Sequence, residues 1–231
     1  MTPLEQENEE HWLSVSDLMA GLMMVFLLVA VVFMVNAERE RRTVTDVAVL
    51  YERLRLELYQ DLLTEFSDDL ASWGAELDPD LTFRFNREDL LFDRGETALQ
   101  PQFAAILSDF FPRYVRIIHQ PQYRDDISEV RIEGHTSSAW GGAGEDEAYI
   151  LNMALSQART RQTAAYLLEL DAIADVKPWI RANLTANGLS SSRLVMTDSG
   201  DEDEVRSRRV EFRVQTDADQ RMEDILQRVR Q

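Results

Sequence analysis

The stretch Asp17–Val35, DLMAGLMMVFLLVAVVFMV, divides this chain into an anchor and a domain. From Leu18 to Val35 there are 18 residues without a charge. At about 1.5 Å per helical residue such a run spans about 27 Å, close to the hydrocarbon core of a bilayer. Asp17 stands at its edge. A carboxylate there is costly unless it is paired, hydrated or protonated. Two readings are open. Ser14, Ser16 and Asp17 are all good N-cap residues, and an acid suits a helix N-terminus. An ionisable group beside a span can also load and unload a proton, which an ion-driven machine requires.

The flanks separate an anchor from a cleaved signal. Val35-Asn36-Ala37 looks like a small-residue cleavage site, but MTPLEQENEEHW contains four glutamates and no Lys or Arg. A secretory signal has a basic start and a shorter apolar core, so the run is expected to be an uncleaved anchor. Arg39, Arg41 and Arg42 follow the span and no basic residue precedes it. By the positive-inside rule alone, this count places the C-terminal part in the cytoplasm.

Composition narrows the rest. The chain has 231 residues, enough for one anchor and one medium domain. Its net charge is −18, from 24 Lys+Arg against 42 Asp+Glu, which argues against nucleic acid as a partner. With no cysteine there are no disulfides or thiolate metal sites. His11, His119 and His135 are too scattered to suggest a zinc motif, and no metal or cofactor is expected. No Gly-rich phosphate loop or Gly-x-Ser-x-Gly elbow supports an enzyme.

Beyond the span, Leu50, Leu54, Leu58, Leu62, Phe66 and Leu70 recur every four residues. A spacing of four precesses by about 40° per step, unlike the 3.5-residue seam of a left-handed coiled coil. It predicts a helix wrapping against its own domain, with a dimer contact or a pore plug as alternatives. Trp73-Gly74 and Asp78-Pro79-Asp80 mark a break. Leu81–Phe85, Ile127–Glu133, Leu194–Met196 and Arg209–Val214 are expected strands. Thr97–Ile118, broken at Pro112, and Ser156–Leu170 are expected helices. The order gives an α+β fold: an α/β sandwich with helices on one sheet face. The boundaries drawn are a short cytoplasmic N-terminus at 1–14, a transmembrane helix at 15–36, a linker helix at 37–78, the domain at 79–216 and a polar helix at 217–231.

Four patterns in the second half occur in order. They are Leu91-Phe92-Asp93-Arg94-Gly95 with Leu99-Gln100-Pro101, then Ile132-Glu133-Gly134-His135-Thr136, then Asn152-Met153-Ala154-Leu155-Ser156-Gln157-Ala158-Arg159, and last Arg208-Arg209-Val210-Glu211. Together, over roughly residues 81 to 215, they resemble the OmpA C-terminal-like, peptidoglycan-binding family. Ser16-Asp17-Leu18-Met19-Ala20-Gly21-Leu22-Met23-Met24 resembles the transmembrane start of MotB-type stator subunits. The acidic N-terminus and Gly21-Leu22-Met23 are closer to the MotB-like subunits of the Zorya anti-phage system than to flagellar ones.

The resemblance implies residue roles. Asp17 would be the proton carrier. Arg159 would pair with a carboxylate of the peptidoglycan stem peptide, a task suited to a guanidinium's two parallel donors. Asn152 would fix the ligand through its amide, and Leu155 would pack behind it; Thr136 and Ser137 complete the site. The family pattern Gly-His-Thr-Asp ends in an acid that takes the ammonium of diaminopimelate, whereas Ser137 brings no charge. Either Glu145, Asp146 or Glu147 folds back to replace that carboxylate, or wall binding is weak, or the ligand is altered. His135 is expected to be a structural residue at a strand end. The implied partners are a surrounding ring of MotA-like subunits, a second copy of this chain and the cell wall. The implied driving ion is the proton, with sodium as the alternative. The implied location is the bacterial inner membrane, with the domain in the periplasm, opposite to the positive-inside count. A flagellar-type stator and a passive OmpA-like wall anchor remain as other readings.

Overall fold

The computed structural model describes residues 3–216. Helix α1 runs Pro3–Trp73 without a break. The chain divides into two compact units, Met1–Leu50 and Tyr51–Gln231. The first contains one stretch, Met19–Asn36, long and apolar enough to cross a membrane. Asp17 lies inside α1, about four turns from its start. A residue so placed is no N-cap, which removes that reading; its side chain is outside the described set.

In the second unit the four-residue stripe faces the domain. Leu58, Leu62 and Phe66 are buried, and Leu54 and Leu70 pack against the same core. Leu50 lies outside the described side chains. The helix stops at Gly74, whose φ of 59° is one an L-residue adopts only under strain. Short strand β1, Ala75–Leu77, then takes residues expected to be the end of the linker helix.

Strands β2 (Thr82–Phe85), β3 (Ile127–Gly134), β4 (Leu184–Gly188) and β5 (Val210–Thr216) complete a sheet ordered β1-β2-β5-β3-β4. Only β3 and β4 run parallel; the other pairs are antiparallel. Alternation sorts the two faces. Phe83, Phe85, Phe212, Val130 and Ile132 enter the core. Arg84, Glu211, Arg131 and Glu133 stand on the other face as a ladder of ion pairs. After the short helix α2 (Glu88–Leu91), helix α3 (Pro101–Ile118) buries Phe103, Leu107, Phe110 and Phe111, and its ring contacts join Phe66 of α1 to Phe83, Phe85 and Phe212. Edge-to-face pairs of this kind add about 0.5–1.5 kcal/mol each beyond burial.

Three local expectations need correction. Helix α3 begins at Pro101, which suits the first turn, and continues through Pro112 instead of breaking there. Helix α4 spans Glu145–Glu169, starting well before Ser156, and a short helix α5 (Lys177–Asn183) follows it. Leu194–Met196 is not a strand of the sheet; Met196 makes one isolated bridge to Glu202, and Leu184–Gly188 takes the place at the edge. The polar helix expected at 217–231 lies outside the described residues.

Candidate functional site

The sequence patterns meet at one end of the sheet. Helix α4 crosses the ends of β3 and β4 at very short range. A Cβ on Gly134 would stand 2.7 Å from Thr160 Cγ2, and one on Gly188 would stand 2.1 Å from the backbone nitrogen of Gln157. Only glycine lets the helix backbone approach so closely. This contact sets the Asn152–Arg159 turns of α4 beside the loop that leaves β3.

A cavity of about 410 Å³ opens there. Thr136, Ser137, Asn152, Leu155 and Arg159 all line it, so the fold brings together every wall-binding residue named from the sequence. Arg94, Trp140, Glu204 and Arg208 line it too. Arg159 is held in place: Nε donates to Glu96 O at 2.8 Å, Nη2 to Asp93 O at 3.0 Å, and the guanidinium lies 4.7 Å over the Phe92 ring. The Leu91–Gly95 pattern therefore acts as the seat for this arginine. Thr136 Oγ1 is buried and has no hydrogen-bond partner among the described residues.

Asn152 differs from expectation. It is 3% exposed, and its Nδ2 donates to Ser137 O at 3.1 Å and Ala139 O at 3.4 Å. The amide donor end holds the loop that shapes the cavity and is not turned to a ligand. No acid from the start of α4 stands at the cavity. Glu145, Asp146 and Glu147 form the exposed first turn of α4, where negative charge suits the helix N-terminus, and none lines the cavity. Instead Ser137 Oγ accepts from Arg208 Nη1 at 2.9 Å, and the same Nη1 donates to Glu204 Oε2 at 2.9 Å. Glu202 accepts from the backbone N–H and hydroxyl of Ser138. Helix α6, Glu204–Ser207, thus delivers a carboxylate to the site, and its N-cap Asp203 accepts from Arg206 N. Arg94 and Arg208 were within the quoted patterns. Glu204 and Trp140 had no signal beyond the acidic stretch before Arg208 and the long loop after Ser137.

Beside this cavity lies a buried charge cluster. His135 Nε2 is 3.7 Å from Glu133 Oε2 and 3.6 Å from Glu211 Oε2. The spacing of the three side chains would suit a metal ion. However, arginines already occupy both carboxylates: Arg84 and Arg209 on Glu211, Arg131 and Arg193 on Glu133. Added positive charge is opposed there. Burial pushes the Glu211 carboxyl up, but His135 and Arg209 outweigh it and hold it well below the usual range. Glu133 is likewise lowered: burial raises it, and His135, Arg131 and Arg193 more than compensate. His135 is buried immediately after the last residue of β3, and its backbone N–H donates to Arg209 O at 3.0 Å.

Comparison with known proteins places the chain. Residues 91–213 match the OmpA family. The solved structure of a putative MotB-like protein from Desulfovibrio vulgaris superposes with a TM-score of 0.53 at 22% identity, covering 73% of this chain and 98% of that one. A Zorya protein ZorB from Escherichia coli is 44% identical over 97% of this chain and 96% of its own length. A second E. coli ZorB is 23% identical over 91% of this chain and 82% of its own. The chain belongs to the OmpA family and, within it, to the Zorya ZorB proteins.

Proposed function

We propose that this chain is the wall-anchored, MotB-like stator subunit of a proton-driven Zorya complex acting in anti-phage defence. The apolar run Met19–Asn36 crosses the inner membrane once, and the domain stands in the periplasm. Two copies sit inside a ring of MotA-like, ZorA-like subunits, whose joint insertion overrides the bias of Arg39, Arg41 and Arg42. Asp17 carries the driving proton at the edge of the span. The family's other branch, flagellar stators, is disfavoured by the high identity to a Zorya ZorB over almost the whole chain.

One observation carries the anchoring half. Thr136, Ser137, Asn152, Leu155 and Arg159 converge on one cavity whose charges are Arg94, Arg159, Arg208 and Glu204. That cationic pocket on a chain of net charge −18 suits an anionic ligand, the carboxylate of a stem peptide. Arg159, already oriented by two carbonyls, meets that carboxylate. Glu204, which lines the cavity and accepts from Arg208 through Oε2, takes the ammonium that Ser137 cannot.

Co-sedimentation with purified peptidoglycan tests the anchor. Arg159→Ala removes a charge-assisted contact of about 1.5–3 kcal/mol, so pelleting falls while the circular dichroism spectrum is kept. Equal pelleting of variant and wild type overturns the site. The stator half is tested by Asp17→Asn in the complex with its membrane partner. The variant keeps the size of the side chain but cannot exchange a proton near neutral pH. The complex should assemble yet lose proton flux in liposomes and phage protection in cells. An active Asp17→Asn complex leaves a passive anchor. Protease added to spheroplasts should digest the chain after Asn36; protection there defeats the periplasmic placement.

A further inference from the structure

The lining of the cavity combines charged side chains, Arg94, Arg159, Glu204 and Arg208, with one large aromatic. Trp140 lines the cavity from the loop between β3 and α4. It is half-buried and is not among the residues of the hydrophobic core. Its indole N–H has no hydrogen-bond partner among the described residues. A tryptophan left outside the core, with its donor unspent, is suited to a surface that is apolar on one face and hydrogen-bonding at its rim.

The loop is built to hold this side chain. Ala143 N donates to Trp140 O at 2.8 Å, closing a tight turn across Gly141 and Gly142. Their φ values are 46° and 90°, both left-handed, the pattern of a type I′ turn that glycine supplies without strain. On the other flank, Asn152 fixes the carbonyls of Ser137 and Ala139, and Glu202 holds Ser138. The indole is therefore presented on a pinned loop, before any ligand arrives. Pre-organised aromatic anchors of this kind dominate binding where they meet a complementary face.

We propose that Trp140 is the sugar-facing residue of this cavity: its indole packs on the C–H face of an amino-sugar ring of the glycan, while Arg159 holds the peptide. This rests on the peptidoglycan reading above. In a ligand made of amino sugars and a short acidic peptide, the charged groups belong to Arg159, Arg94 and Glu204. The broad uncharged face left over is the sugar ring. The ring's hydroxyl and acetyl oxygens give the indole N–H an acceptor.

The experiment compares two soluble probes on the detergent-solubilised full chain by calorimetry. One is a disaccharide tripeptide from peptidoglycan, and the other is the same tripeptide without sugars. For wild type, the glycopeptide binds more tightly. Trp140→Ala weakens the glycopeptide by about tenfold and changes the bare tripeptide by less than about twofold, the scale of losing one buried aromatic anchor. Trp140→Phe keeps most of the glycopeptide affinity, and neither variant shifts the thermal melt of the domain. Equal loss for both probes, or no loss for either, overturns the sugar contact while leaving the peptide site standing. If wild type binds neither probe, the peptidoglycan reading fails and this inference fails with it.

Discussion

Between Met19 and Asn36, helix α1 leaves its large apolar side chains exposed, from 42% for Val35 to 74% for Met24. Between Leu54 and Leu70 the same helix buries Leu58, Leu62 and Phe66 to 1% or less and turns charged side chains such as Glu57 and Glu65 to water. The first stretch has a mean hydropathy of 2.5 and no preferred side. The second alternates polar and apolar residues, with one narrow apolar stripe. The difference shows how one secondary structure serves two solvents. A helix apolar all round relies on lipid as its partner, whereas a striped helix completes the core of its own domain. Hydrophobic residues are present in both; their arrangement decides which environment they enter.

Matched substitutions break this contrast most sharply. Phe66→Ala removes a ring in contact with Phe83, Phe110 and Trp73, and should cost the domain about 3–5 kcal/mol in urea denaturation. The protein should still fractionate with membranes. A loss below 1 kcal/mol would mean that the stripe is not part of the core. Val29→Arg should show the reverse. Its penalty of about 2.5–3.5 kcal/mol falls on insertion, read as a drop in the carbonate-resistant membrane fraction, with the domain's melting temperature unchanged.

Acid should produce a smaller, graded effect confined to the domain. Glu133 and Glu211 are held below their ordinary values in the folded state. Their contribution is complete above the unfolded carboxylate value of about 4.3 and is lost as pH falls toward the lowered ones. Urea midpoints should begin to decline near about pH 5 and keep falling as the pH is lowered through the acid range. Glu211→Gln should flatten that decline, at the cost of a less stable protein at pH 7, because Arg84 and Arg209 lose their partner. A slope unchanged by Glu211→Gln would assign acid sensitivity to other carboxylates. The smallest effect is the control: Phe33→Ala, the same chemistry as Phe66→Ala on the exposed stretch, should move domain stability by less than about 0.5 kcal/mol.

Strong periodicity made most of the fold legible. The span, the four-residue stripe and the strands with alternating Phe, Val and Ile could be read directly. What escaped has a physical reason. Strand β4, Leu-Thr-Ala-Asn-Gly, ends in three weak strand formers, because it needs only backbone pairing with β3 and room beneath α4. Leu194-Val195-Met196 has better residues but lies in a loop, where Val195 N donates to Ser207 Oγ. In the site, Arg159 was visible through its pattern, but its seat on Phe92 and two carbonyls was not. Glu204 was hidden among Asp201, Glu202 and Asp203, since sequence gives no sign which acid of a run will face inward. Asn152 was visible, yet its contact with the loop is a matter of three-dimensional proximity alone.

Arg113 ties the striped part of α1 to α3. It reaches Glu65 at 2.7 Å, Asp69 at 2.9 Å and Asp109 at 3.0 Å, and its guanidinium lies 4.8 Å over Phe66. In mechanical terms the domain begins at Tyr51, not at the first strand. A pull applied along the chain there does not peel a tether from a surface. It must slide about five turns of helix past α3 and the sheet, with every contact from Leu54 to Trp73 resisting in shear together.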